Sequence, residues 1–165
     1  SAARASGCPT FAGGGCWKIW RTLESRGSRY VFCLRRVTAR RRDSHGSEAR
    51  AKDAILELDT DVKGRTDAFN PAELLLAAVA ACMIKGIERV TPMLDFKLRG
   101  VDVSLHGERQ DSPPKMTSVS YVLTVDTDES DQRLELLHKN VRKYGTISNT
   151  VAEVVNLTGK IRRKS

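Results

Sequence analysis

The stretch Asn70-Pro71-Ala72-Glu73-Leu74-Leu75-Leu76-Ala77-Ala78-Val79-Ala80-Ala81-Cys82-Met83-Ile84 decides how the rest of the chain is read. Asn70 suits a helix N-cap, because its side-chain oxygen can accept from the free N–H groups of a first turn. Pro71 lacks an N–H that the first helical position leaves unused, and Glu73 can bond back to the cap. From Leu74 to Ile84 the helix is apolar all round, which predicts burial on every side. Lys85, Glu88 and Arg89 bring its end to solvent, and Pro92 is expected to stop it.

On either side of this helix the pattern changes to the two-residue period of strands. Upstream, Tyr30 to Arg40 mixes β-branched and aromatic residues with arginines and reads as a strand at a sheet edge. Asp43-Ser44-His45-Gly46 is turn chemistry, Ala54-Ile55-Leu56-Glu57-Leu58-Asp59 alternates as a second or third strand, and Asp61 to Phe69 is a polar loop around Gly64. Downstream, Val101, Val103 and Leu105 alternate with Asp102, Ser104 and His106. Val119, Tyr121, Leu123 and Val125 alternate with Ser118, Ser120 and Thr124, so the two form a hairpin with one buried face, connected by Gln110 to Lys115. Ser130 to Tyr144 carries Leu134, Leu137, Val141 and Tyr144 on one helical stripe, with acids early and Lys139, Arg142 and Lys143 late, complementing the helix dipole. Gly145 is the expected C-terminal cap, a short helix runs from about Ser148 to Asn156, and Lys160-Ile161-Arg162 reads as a last strand. Strands, a buried helix, a hairpin and two helices make an α+β fold.

The 165 residues are one domain's worth, and aliphatic side chains must supply most of the core, since aromatics are only 5%. The net charge of +8 is unevenly spread: residues 1–52 hold 12 Lys/Arg against 3 Asp/Glu, whereas 53–165 hold 16 against 17. A nearly neutral stretch, 53–165, thus follows a basic segment, and the chain is read as a basic N-terminal extension, 1–30, ahead of a domain, 31–165. That extension reads as a leader or foreign end, as a solvated surface arm, or as an arm for nucleic acid. Cys8, Cys16, Cys33 and Cys82 show no zinc-like pairing, and His45, His106 and His138 no metal-ligand spacing, so no metal or cofactor is expected and the histidines read as solvated. With three of the four cysteines in the N-terminal region and only Cys82 beyond it, the chain suits a reducing compartment, hence the cytoplasm, and the apolar run 74–84 is too short for a bilayer, so no membrane partner is expected.

The Asn-Pro start, the Ala/Leu-rich helix and Cys82 at its far side resemble the signature of the OsmC/Ohr family (osmotically inducible protein C and organic hydroperoxide resistance), and the order of elements over about 31–162 agrees. The resemblance implies an intertwined homodimer, with two sheets wrapped around central helices and sites at the subunit interface. It also implies a chemistry: a helix cysteine, as thiolate, attacks an organic hydroperoxide and becomes a sulfenic acid. A second cysteine then closes a disulfide that a dithiol reopens, and an Arg paired with a Glu stabilises the thiolate.

Taken residue by residue, Cys82 matches the attacking position. Ala72 stands where the family's peroxidases place the Glu; Glu73 is adjacent, but nine helical residues put it on the face opposite Cys82 and about 13 Å along the axis, so capping is its expected role. Arg42 is the candidate for the strand arginine. Lys85, three residues after Cys82 on the same helix face, is a local alternative, unless it only reaches outward to water. Gly145-Thr146-Ile147-Ser148 occupies the place of the family's Cys-Pro-x-Ser, so the resolving thiol is absent; Ser148 is expected to cap the last helix, and Cys33 is the remaining intramolecular candidate. Three functions stay open: a peroxide-response protein reducing organic hydroperoxides through Cys82 with an external dithiol, a non-catalytic relative that binds a small apolar ligand at the dimer interface, and a nucleic-acid-associated protein acting through Arg35 to Arg42. A nucleic-acid partner is not the leading expectation. In the second reading Cys82 is merely a small core residue.

Overall fold

The computed structural model describes residues 36–164. The extension 1–30, with Cys8 and Cys16, lies outside them, as do Cys33 and the first half of the strand expected over Tyr30 to Arg40. The elements in order are β1 (Thr38–Arg41), β2 (Gly46–Ala51), β3 (Ala54–Asp59), α1 (Pro71–Met93), β4 (Gly100–Asp111), β5 (Pro114–Asp126), α2 (Asp131–Tyr144), α3 (Thr146–Ala152) and β6 (Asn156–Arg163). Two three-stranded sheets result, β1-β2-β3 and β4-β5-β6, so the fold is α+β.

The first sheet is antiparallel throughout, with β1 at its edge. Its middle strand β2, Gly-Ser-Glu-Ala-Arg-Ala, has no β-branched residue, which is why its sequence does not announce it. Cross-strand charge holds it instead. Glu48, 8% exposed, takes Arg50 on one oxygen at 2.7 Å and Arg42 on the other at 2.7 Å, and Arg42 also reaches Glu57 at 2.7 Å. The Arg50 and Arg42 hydrogen bonds hold the Glu48 carboxyl down to about 2. The 43–46 turn forms as expected, with Asp43 Oδ1 accepting from the N–H groups of His45 and Gly46. Gly46 leaves room for Arg65: a Cβ there would stand 2.5 Å from the Arg65 guanidinium.

The second sheet carries the core. Val119, Tyr121, Leu123 and Val125 form the buried face of β5, and the last three pack in one core with Val79, Met83, Ile87, Leu134 and Leu137 of α1 and α2. Each such side chain removed from water contributes roughly 1.5–3 kcal/mol before entropy is counted. The hairpin is tighter than its sequence suggests: β4 and β5 extend through Gln110 and Lys115, leaving only Ser112-Pro113 as the turn. The last strand is also longer, and it runs parallel to β5 after the α2–α3 crossover.

Two expectations about the helices need correction. Within the chain α1 buries only Val79, Met83, Gly86, Ile87 and Val90, while Ala77, Ala78, Ala81 and Ile84 stay exposed, so it is not buried on every side. Pro92 stands inside the last turn, because a proline near a helix end removes one N–H without forcing an immediate stop. Gly145 stands at the C-cap of α2 as expected, in an extended conformation at φ −78°, and is at once the N-cap of α3, so the two helices join directly.

The three histidines also divide. His106 is exposed, and His45 pairs with Asp61 at 2.6 Å. His138, expected in solvent, is 8% exposed, and its Nε2 meets the Tyr121 hydroxyl at 2.8 Å. Burial, outweighing Glu135 and aided by Arg142, pushes the His138 imidazole below its ordinary range. The unfolded chain takes up this proton near about pH 6.5, earlier than the fold does, so the contribution of His138 to stability holds above that pH and is lost below it. Denaturant midpoints stepped through this range should fall with acid, and His138→Gln should remove that part of the slope. His45, raised by its hydrogen bond to Asp61, acts with the opposite sign, so the difference between wild type and variant is the readout. An unchanged slope in the variant would count against the assignment.

Tyr121 also explains Gly159. A Cβ at Gly159 on β6 would lie 2.5 Å from three ring atoms of Tyr121 on β5. Gly159→Ala should therefore lower the urea midpoint by the equivalent of about 1–3 kcal/mol, the usual effect of overpacking. No loss would mean that the ring moves aside freely.

Candidate active site

The helix start is built as its sequence requires. Asn70 Oδ1 accepts from Ala72 N at 2.9 Å and Glu73 N at 3.0 Å, and Glu73 Oε2 accepts from Asn70 N at 2.9 Å. Glu73 is thus occupied as the return arm of a capping box, about two and a half turns before Cys82 and on the opposite face of the helix.

Cys82 is half-buried, its thiol free, at the border between the buried and exposed faces of α1. Two contacts fix what stands across from it. Arg133, near the start of α2, donates to the carbonyls of Leu94 and Asp95 just past the end of α1, each at 2.8 Å, so the two helices run antiparallel. They meet tightly at Gly86, where a Cβ would lie 3.3 Å from Val141 Cγ1. One turn back along α1 from Gly86 is Cys82, and one turn on along α2 from Val141 is Gly145. Cys82 and Gly145 therefore occupy matching positions on the same side of the crossing.

Ser148 belongs to this junction. It is not the cap of α3 but its third residue, 5% exposed, because α3 starts at Thr146 directly after Gly145. Its hydroxyl is buried with no hydrogen-bond partner among the described residues, and it lies 3.2 Å from where a Gly145 Cβ would stand. An orphaned buried hydroxyl forfeits about 1–3 kcal/mol, a cost that native folds seldom leave unanswered.

The cations are distributed differently from the expectation. Arg42 is committed to Glu48 and Glu57 within its own sheet, and among the described residues no hydrogen bond or ion pair joins it to α1. Lys85 is exposed, three residues beyond Cys82. A third cation escaped the sequence reading: Arg89 sets its guanidinium 5.3 Å from the ring centroid of Tyr144, and Lys143 brings its ammonium to 5.3 Å from the same ring. The signal was the seven-residue step from Cys82 to Arg89, which returns within about 20° of the same helix direction.

No group of three or more His, Cys, Asp or Glu side chains among the described residues could hold a metal ion. No helix among them is long and apolar enough to cross a membrane.

Comparison with known proteins places this geometry. The family model described as OsmC-like protein matches residues 63–160. No curated protein matches the chain. Among solved structures, an OsmC-like protein from Mycoplasma pneumoniae superposes with a TM-score of 0.76 at 16% identity, covering 82% of this chain and 100% of that one. An organic hydroperoxide resistance protein OsmC from Legionella pneumophila gives 0.61 at 19% identity, covering 80% and 98%. The organic hydroperoxide resistance protein OhrB of Bacillus subtilis gives 0.59 at 18%, covering 79% and 98%. At these identities the structural likeness is one of fold.

Proposed function

We propose, from the premise that this chain belongs to the OsmC-like family, that it is a thiol-dependent reductant of organic hydroperoxides in the response to peroxide stress. Cys82 is the attacking sulfur, and no second cysteine is supplied at the family's usual place. The observation that carries the reading is the free, half-buried Cys82 thiol on the helix that lies inside the matched family region. The Cys82 thiolate attacks one peroxide oxygen, the O–O bond breaks, and the alkoxide leaves with a proton as alcohol. Sulfur is oxidised by two electrons to the sulfenic acid. One thiol of an external dithiol then attacks the oxidised sulfur and releases water. Its second thiol attacks the mixed disulfide, returning Cys82 as thiolate and leaving the reductant as its cyclic disulfide.

The functional unit in this reading is a homodimer. Within one chain, Ala77, Ala78, Ala81 and Ile84 of α1 are uncovered, and so is the row Ala39–Ala49–Leu56 across the first sheet, where Leu56 is 42% exposed. A second copy covers both with small side chains that allow close approach. The test of the chemistry is consumption of an alkyl hydroperoxide in the presence of a dithiol, with the sulfenic acid trapped by a carbon nucleophile and mapped to its peptide. Absence of both consumption and adduct at Cys82 would end the reading.

A further inference from the structure

We infer that Arg41 of one copy pairs with Glu88 of a second copy, and that this ion pair aligns the two chains of the homodimer. The inference rests on the homodimer proposed above, because it names the charged contact that fixes its register. It starts from a sheet without a core of its own. No residue of β1, β2 or β3 belongs to the hydrophobic core, which the helices and the second sheet build among themselves. A three-stranded sheet needs an apolar face, and that face must be covered. The strand register shows which face this is. Arg40, Glu48 and Glu57 stand opposite one another across the three strands, and Arg42 and Arg50 bond to the same carboxylates, so one face is charged and satisfied within itself. The alternate residues Ala39, Ala49, Ala51, Leu56 and Leu58 lie on the other face. The one charged side chain that β1, β2 and β3 place there is Arg41, at the end of β1. It is exposed, and among the described residues it makes no ion pair. Asp43, two residues on, gives one oxygen to the N–H groups of His45 and Gly46.

α1 carries the complementary face. At about 100° per residue, Ala77, Ala81, Ile84 and Glu88 fall within about 60° of one another around the helix, on the side away from the buried Val79 and Met83. All four are exposed. The helix has two carboxylates, and Glu73 is held by the backbone N–H of Asn70, which leaves Glu88. Among the described residues Glu88 makes no ion pair. Each uncovered face is therefore a row of aliphatic side chains with one uncommitted charge at its end, positive on the sheet and negative on the helix. Covering either face with apolar surface alone would strip that charge of water and return nothing. Laying the first sheet of one copy along α1 of the other covers both rows and brings the two charges together. Two-fold symmetry repeats the contact, so the dimer holds two such pairs. Lys85, one turn before Glu88, repels Arg41 in a displaced alignment, which makes the pair a device for register as well as attraction.

Complementation between two variants of the full chain tests the pair. Arg41→Glu and Glu88→Arg each place two like-charged contacts in their own homodimer. One chain of each restores both contacts, one native and one with its signs exchanged. On sedimentation at low salt, each variant alone should show a dimer dissociation constant raised about 100-fold. The equimolar mixture should return to twice the chain mass, with a constant within about tenfold of wild type. Far-UV circular dichroism equal to that of wild type shows that the variants are folded. Should a charge reversal unfold the chain, Arg41→Gln and Glu88→Gln take its place: each should weaken the dimer by about tenfold, and the chain bearing both should be no weaker than either alone. Variants that dimerise like wild type, a mixture that stays monomeric, or additive losses in the neutral pair would overturn the inference and leave the dimer standing. A wild type that sediments as a monomer would overturn the dimer and the pair together, whatever its hydroperoxide activity.

Discussion

Cys82→Ser is expected to bring hydroperoxide consumption down to that of buffer, a loss of roughly three or more orders of magnitude, the scale seen when a covalent nucleophile is removed. The substitution keeps the size of the side chain and its place on the border of α1. What it removes is the sulfur nucleophile, because a serine hydroxyl attacks only when a base takes its proton, and no hydrogen bond among the described residues joins position 82 to one. Since the Cys82 thiol is free and only half-buried, the thermal midpoint should move by little, so a lost activity could not be blamed on unfolding. Cys8→Ser, Cys16→Ser and Cys33→Ser should each leave the first turnover intact. If consumption by Cys82→Ser equals that of wild type, the sulfur on α1 is a packing residue and the chemistry lies elsewhere.

The parts of the fold that could be read from the sequence are those where local chemistry and tertiary packing agree. The capping box at Asn70 and Glu73 is a purely local device, and it forms atom for atom as the residues require. The alternation of β5 survives because its buried face has a helix layer to meet. Where a single side chain serves two elements, sequence alone misleads. His138 looks like one more polar residue of an amphipathic helix until Tyr121, seventeen positions earlier on another element, supplies its partner. Glycine gives the same lesson twice. Gly145 ends α2 as its place in the sequence suggests, but it also serves as a close-packed joint against Val141 and Ser148. Gly86 gave no signal at all, although it sets the register that brings Cys82 level with Gly145. The site is thus half legible: the cysteine belongs to a motif, whereas the orphaned serine and the Tyr144-held cations exist only because α1 and α2 cross where they do.

Ala81→Glu is expected to convert the proposed dimer into a folded monomer. Ala81 lies in the exposed stripe of α1 with Ala77, Ala78 and Ile84, and Ile84 is 38% exposed within the single chain. A helix whose uncovered face is alanine and isoleucine has no reason to face water, and small side chains there let a second helix approach closely. In the isolated chain a glutamate at position 81 would be solvated and cost almost nothing, since glutamate is a good helix former. Beneath a partner it would be a carboxylate without a counter-ion, costing roughly 3–5 kcal/mol, which corresponds to a rise of roughly 10²–10⁴-fold in the dimer dissociation constant. Sedimentation should therefore show wild type at twice the chain mass and the variant at the chain mass, with far-UV circular dichroism the same for both. A wild type that sediments as a monomer, or a variant that keeps the double mass, would remove the homodimer and leave the apolar stripe to another partner. If the dimer does break, the hydroperoxide assay on the folded monomer becomes informative. Activity that survives would assign the Cys82 site to a single chain, whereas activity lost with the dimer would mean that the partner completes it.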